Sequence, residues 1–179
     1  MIVLVIGGSK SGKSSLAENI SYNLKEEGTL YYLATMNPKD LEDLKRIEKH
    51  ISNREKYNFK TIEIKSDIKS IKDINSSDTM LLDSVTSLVT NEMFKEKSFN
   101  LDVKDKINSE IKSLSKSLKN LILVSDFVFS DSKVYDELTE KFRKELGSIN
   151  CTLASLADVV IEVNFGNITF HKGEGLLDV

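Results

Sequence analysis

Lys13 and Ser14 close the run Gly7-Gly8-Ser9-Lys10-Ser11-Gly12-Lys13-Ser14, the stretch of this chain whose residue types and spacing most directly specify chemistry. The pattern G-x-x-x-x-G-K-S, between an apolar strand and a helix, is a phosphate-binding loop. Gly7 and Gly12 let the backbone curl so that successive N–H groups point at an anion, and the following helix adds its positive end. Lys13 reaches the outer phosphates as a point charge, and the Ser14 hydroxyl can hold Mg²⁺. The expected ligand is a nucleoside triphosphate.

A second carboxylate chemistry is expected at Asp83. It ends the apolar run Met80-Leu81-Leu82, where an acid completes a Mg²⁺ site opposite a phosphate loop. Of the two histidines, His50 closes a charged helical stretch, after Arg46-Ile47-Glu48-Lys49 and ahead of Arg54. Locally it reads as a solvated imidazole at the helix's negative pole. The alternative is a nucleophile: a neutral imidazole can attack phosphorus, expel pyrophosphate and carry a nucleotidyl group. His171, near an edge strand, reads as surface. The single cysteine, Cys151, falls among Ile149, Leu153 and Leu156 and is expected to be a buried, inert thiol.

The elements that must position these groups alternate. Ile2–Ile6 is an apolar strand, and Leu16, Ala17, Ile20 and Leu24 mark the helix after the loop, closed by Gly28. Leu30–Ala34 is a second buried strand. A polar helix spans about Asp40 to Ile51, a half-exposed strand Phe59–Ile64, and Ile68, Ile71 and Ile74 suggest a short amphipathic helix. The strand ending at Asp83 leads into a helix over Val85–Phe94. Val103, Ile107, Ile111, Leu114 and Leu118 define an amphipathic helix, followed by the strand Leu121–Val124. A looser stretch, Ser125–Lys133, precedes a long helix over Leu138–Leu156. The strand Val159–Val163 then turns at Phe165-Gly166-Asn167 into an edge strand, Ile168–Phe170. The expected fold is α/β and P-loop NTPase-like, with a mostly parallel central sheet covered by helices on both faces. Gly7, Thr35, Asp83 and Ser125 then gather beyond the carboxyl ends of the strands, where ligands bind in such sheets.

At 179 residues the chain is expected to form one domain, residues 1–179. A net charge of −3, with lysines scattered among carboxylates, gives nucleic-acid binding no electrostatic support. The opening apolar segment is too short for a signal peptide and no run is long enough to cross a bilayer, so neither a membrane partner nor export is expected and the cytoplasm is the expected compartment.

The motifs taken together resemble the bifunctional adenosylcobinamide kinase / adenosylcobinamide-phosphate guanylyltransferase family. Gly7-Gly8-x-x-Ser11-Gly12-Lys13-Ser14 is similar to its phosphate loop, and Tyr32-Leu33-Ala34-Thr35 to its second-strand motif. Asp40-x-Glu42-x-x-x-Arg46-Ile47-x-x-His50, Arg54 and Thr61-x-Glu63 follow its signature segment. Leu81-Leu82-Asp83-Ser84-Val85-Thr86 with Val89-Thr90-Asn91, and Phe142-Arg143 through Gly147, Asn150, Ala154 and Ala157-Asp158, continue the match. The resemblance implies two reactions. One phosphorylates a hydroxyl on the aminopropanol arm of adenosylcobinamide from a nucleoside triphosphate, GTP or ATP. The other transfers GMP from GTP to that phosphate through a guanylylated histidine, releasing pyrophosphate.

By the same resemblance His50 is the nucleophile. Gly7, Gly8, Ser9, Lys10, Ser11, Gly12, Lys13, Ser14, Ala34, Thr35, Arg54, Glu63 and Asp83 contact nucleotide, with Ser14 and Asp83 on Mg²⁺. A homo-oligomer, a trimer, is implied too. One segment departs from the family pattern. After Val124 the family carries an Asn-Glu pair and a glycine-rich segment closing in Val-Pro, where this chain has Ser125-Asp126-Phe127-Val128-Phe129-Ser130-Asp131. Asp126 stands at the asparagine and Phe127 at the glutamate. A kinase lacking the guanylyl step and a nucleotide-binding regulatory subunit are the alternative readings.

Overall fold

Alternation of apolar side chains along the central strands builds two cores, one on each face of a seven-stranded sheet. The computed structural model describes residues 1–38, 41–95 and 98–177, the side chains of Glu42, Asp43, Arg46, Lys49, His50, Asn53 and Ser98 excepted. The elements run β1 (Ile2–Gly7), α1 (Lys13–Leu24), β2 (Leu30–Ala34), α2 (Leu41–Arg54), β3 (Lys60–Glu63), β4 (Thr79–Asp83) and α3 (Val85–Met93). They continue with β5 (Phe94–Lys95), β6 (Ser98–Phe99), α4 (Lys104–Lys116), β7 (Asn120–Asp126), α5 (Glu137–Leu156), β8 (Val159–Asn164) and β9 (Asn167–Lys172).

The large sheet has the order β3-β2-β4-β7-β1-β8-β9, parallel except for the β8–β9 hairpin. On one face Leu4, Met80, Leu82, Leu121 and Leu123 meet α3, α4 and α5 through Leu88, Ile107, Ile111, Leu146 and Ile149. On the other, Val3, Val5, Leu81, Ile122 and Ile161 meet α1 through Ala17 and Ile20. This is the expected doubly covered parallel sheet. Strand β7 is inserted between β1 and β4, so the phosphate-loop strand and the Asp83 strand are not neighbours. The register Gly7↔Asp126 and Asp83↔Val124 sets the ends of all three strands along one rim.

Two sequence expectations are corrected. Ile68, Ile71 and Ile74 do not make an amphipathic helix. Only a 3₁₀ turn at Ile68–Ser70 forms, and the three isoleucines still pack on the core from a mostly irregular segment. Cys151 is exposed. The buried face of α5 is Leu146, Ile149, Asn150 and Leu153, and Cys151 lies two residues from both Ile149 and Leu153, on the opposite side of a 3.6-residue period. The short β5–β6 hairpin has no counterpart in the sequence reading. Among the described residues no helix is long and apolar enough to cross a membrane.

Candidate nucleotide site

The loop between β1 and α1 requires glycine at two positions for different reasons. At Gly7 a Cβ would lie 2.4 Å from the Val163 carbonyl oxygen and 2.8 Å from Ser11 Oγ, so close approach forbids a side chain. At Gly12, φ is 99°, the left-handed conformation that delivers the chain into the first turn of α1. Lys13 opens α1 and is 9% exposed; its Nζ donates to the Gly8 carbonyl at 3.1 Å and lies 2.7 Å from Asp126 Oδ1. Ser11 Oγ is buried without a hydrogen-bond partner among the described residues, as a loop hydroxyl aimed at a phosphate oxygen would be.

Strand ends supply the opposite wall. Asp83 Oδ2 accepts from the Tyr32 hydroxyl at 2.9 Å, and burial and then Asp83's charge hold that hydroxyl well above the ordinary tyrosine range. The Arg54 guanidinium, at the end of α2, lies 3.9 Å from the centre of the Tyr32 ring and also donates to Thr61 Oγ1 at 3.4 Å. Thr35 is buried. Its hydroxyl donates to the Ser84 carbonyl and accepts from the Ser84 N–H, both at 2.8 Å, so it locks the β2 and β4 ends together. Asn91 Nδ2 reinforces the same corner by donating to the carbonyls of Thr35 at 2.7 Å and Lys65 at 2.9 Å.

These walls enclose a cavity of about 1000 Å³. Lys13, Ser14, Ala34, Arg54, Glu63 and Asp83, all expected at the nucleotide, line it together with Tyr32 and Asp126. Gly7, Gly8, Ser9, Lys10, Ser11 and Gly12 form the loop beside it, while Thr35 sits behind its wall. Leu44, Ile47 and Ile51 turn the apolar side of α2 toward the cavity instead of toward either core. The His50 side chain, the expected nucleophile, lies outside the described residues.

Glu18 was not foreseen as part of this region. It is buried, one helical turn beyond Ser14, and its Oε1 has no hydrogen-bond partner among the described residues. The i, i+4 spacing from Ser14 was the signal. Burial, and next the charge of Asp83, push its carboxyl up to about 7, against the opposing pull of Arg54 and Lys56. The folded protein therefore holds this proton more tightly than the unfolded chain. The stability it contributes is complete below the ordinary value of 4.5 and is lost as pH rises through about 7. Glu18→Gln, which cannot ionise, should be more stable than the parent at pH 8 by up to on the order of 3 kcal/mol. The gain should vanish toward pH 4.5, and urea unfolding at both ends of that range checks it.

Comparison with known proteins agrees with this geometry. A solved ATPase domain superposes with a TM-score of 0.52 over 90% of this chain and 68% of its own, at 12% identity, which places the fold among the P-loop NTPases. The bifunctional adenosylcobalamin biosynthesis protein CobU of Escherichia coli (strain K12) is 30% identical over 174 residues, covering 89% of this chain and 93% of the relative. Its namesake from Salmonella typhimurium is 27% identical over 173 residues with the same coverage. The family model described as cobinamide kinase / cobinamide phosphate guanyltransferase matches residues 3–169. A triphosphate-type loop, a facing acidic strand end and a match spanning nearly the whole chain lead to one conclusion: the chain belongs to the cobinamide kinase / cobinamide phosphate guanyltransferase family.

Proposed function

We propose that both reactions of the family run from one nucleotide seat in a single domain, and that the guanylyl group passes through His50. The observation that carries this reading is the cavity itself. Phosphate-loop Lys13 and Ser14, the Asp83 carboxylate, and Ile47, Ile51 and Arg54 of α2 all line it. His50 follows Ile47 by three positions and precedes Arg54 by four, the spacing of one helix face.

In the guanylyl step the lone pair of a neutral imidazole attacks the α-phosphorus of GTP. A P–N bond forms, the bond to the bridging oxygen breaks, and pyrophosphate leaves. An oxygen of cobinamide phosphate then attacks the same phosphorus, and breaking the P–N bond returns free histidine. Lys13 and the loop N–H groups stabilise charge that develops on the departing phosphates. Ser14 and Asp83 are an oxygen donor pair suited to Mg²⁺, and Tyr32 holds one Asp83 oxygen in place. When bound, Mg²⁺ supplies charge neutralisation at the phosphates. The same seat presents the γ-phosphorus for phosphorylation of cobinamide, with GTP or ATP as donor. Assembly as a homo-oligomer, a trimer, in the cytoplasm completes the reading.

The test uses GTP labelled in the α-phosphate, with Mg²⁺. Label should remain on the denatured protein, stable in mild base and released by acid, as a phosphoramidate requires. Protein that turns over cobinamide phosphate without ever carrying label would exclude a covalent route.

A further inference from the structure

Asp126 is a carboxylate in a place where nucleotide binding alone gives no reason for one. It ends β7, the strand inserted between the loop strand and the Asp83 strand, in register with Gly7. Its backbone is fixed from three sides. The Asp126 N–H donates to Thr86 Oγ1 at 2.9 Å, the next N–H, of Phe127, donates to the Gly7 carbonyl at 3.0 Å, and Asn150 Nδ2 donates to the Asp126 carbonyl at 3.4 Å. The side chain is 27% exposed, lines the cavity, and holds Lys13 Nζ at 2.7 Å through Oδ1. It is therefore one ammonium group away from wherever Lys13 holds the outer phosphates. A carboxylate so close to a polyanion opposes its binding.

We propose that Asp126 is the general base of the kinase reaction, a role that rests on the triphosphate being seated on the Gly7–Ser14 loop. The two reactions differ in what they ask of their nucleophiles. Imidazole attacks through a free lone pair, and the phosphate acceptor of the guanylyl step is already an anion. The acceptor of the kinase step is a neutral hydroxyl, whose proton must leave as its oxygen becomes an ester. Asp126 takes that proton while the hydroxyl oxygen bonds to the γ-phosphorus. The bond from that phosphorus to the bridging oxygen breaks, and the nucleoside diphosphate departs with Lys13 on its developing charge. Protonated Asp126 afterwards releases the proton to solvent. The asparagine–glutamate pair of the family pattern is replaced here by Asp126-Phe127, so the acid of this segment stands at the first position of the pair, the one that register holds beside Lys13.

The experiment compares Asp126→Asn and Asp126→Glu with the parent in three assays. These are phosphorylation of cobinamide, guanylyl transfer to pre-formed cobinamide phosphate, and direct binding of a fluorescent GTP analogue. In Asp126→Asn the kinase kcat should fall by roughly 100-fold or more, and the kinase-to-guanylyl rate ratio by at least about 30-fold. Nucleotide affinity should hold or tighten, because a repelling charge is gone, and Asp126→Glu should recover part of the kinase loss. An equal fall in both reactions would reduce Asp126 to orienting Lys13 and overturn the proposal. So would an unchanged ratio, or a raised Mg²⁺ requirement shared by both reactions, which would make the carboxylate a metal ligand. If Asp126→Asn does not fold, Asp126→Ser takes its place with the same criteria. Analogue binding that is indifferent to Lys13→Ala would sink the seat itself, an outcome separate from any result at Asp126.

Discussion

His50→Ala is expected to remove protein-bound guanylate and to slow guanylyl transfer by on the order of 10⁴-fold or more, the scale on which covalent routes fail when their nucleophile is deleted. Phosphorylation of cobinamide should continue, because that step proceeds by direct attack of the acceptor on the γ-phosphorus. Two assays on one preparation check this: cobinamide phosphate formed from ATP, and acid-labile label retained from α-labelled GTP. Loss of both activities with an intact fold would show that the α2 face is needed for nucleotide binding, not for nucleophilic attack. The result would then locate the guanylyl acceptor elsewhere, or remove it from the mechanism.

Lys13→Ala should have the opposite breadth. The Lys13 ammonium is buried, opens α1 and is held by Gly8 and Asp126, so its position is set before any phosphate arrives. A preorganised positive charge at developing phosphate charge contributes about 10²–10³-fold or more. Both reactions release a phosphate-bearing leaving group from the same loop, so both should fall by about that factor, with weaker nucleotide binding as well. Stability should change little, since Asp126 is left partly exposed and can be solvated. Parallel kinetics on the two half-reactions, with thermal melts as the folding control, check it. A selective loss of one reaction would show that they do not share a seat.

Much of this was legible in the residues. The loop, the acidic end of β4 and the run of buried strands follow from local patterns, because a strand buried on both faces must be a nearly continuous apolar run. Strand order was not legible. The pairing of β7 with both β1 and β4 is a contact between segments far apart in sequence, and apolar periodicity carries no record of it. That pairing brings Asp126 to Lys13. Glu18 escaped notice because a lone glutamate on an otherwise mixed helix reads as solvated, and only the packed sheet shows its carboxyl enclosed. Cys151 erred the other way: apolar neighbours in sequence suggested burial, but its angular position on α5 faces water. The isoleucines at 68, 71 and 74 kept their burial and lost their helix, since spacing by three suits a 3₁₀ turn and an irregular strap as well as an α-helix.

The stacking of Arg54 on Tyr32 makes the last residue of α2 a fulcrum. With a rise of about 1.5 Å per residue, position 50 lies only about 6 Å from that pivot and Leu41 about 20 Å from it. A tilt of about 10° would carry position 50 through roughly 1 Å and the far end of the lever through more than about 3 Å. The mouth of the cleft can therefore open and shut widely for a bulky corrinoid while the atoms near the pivot hold their station.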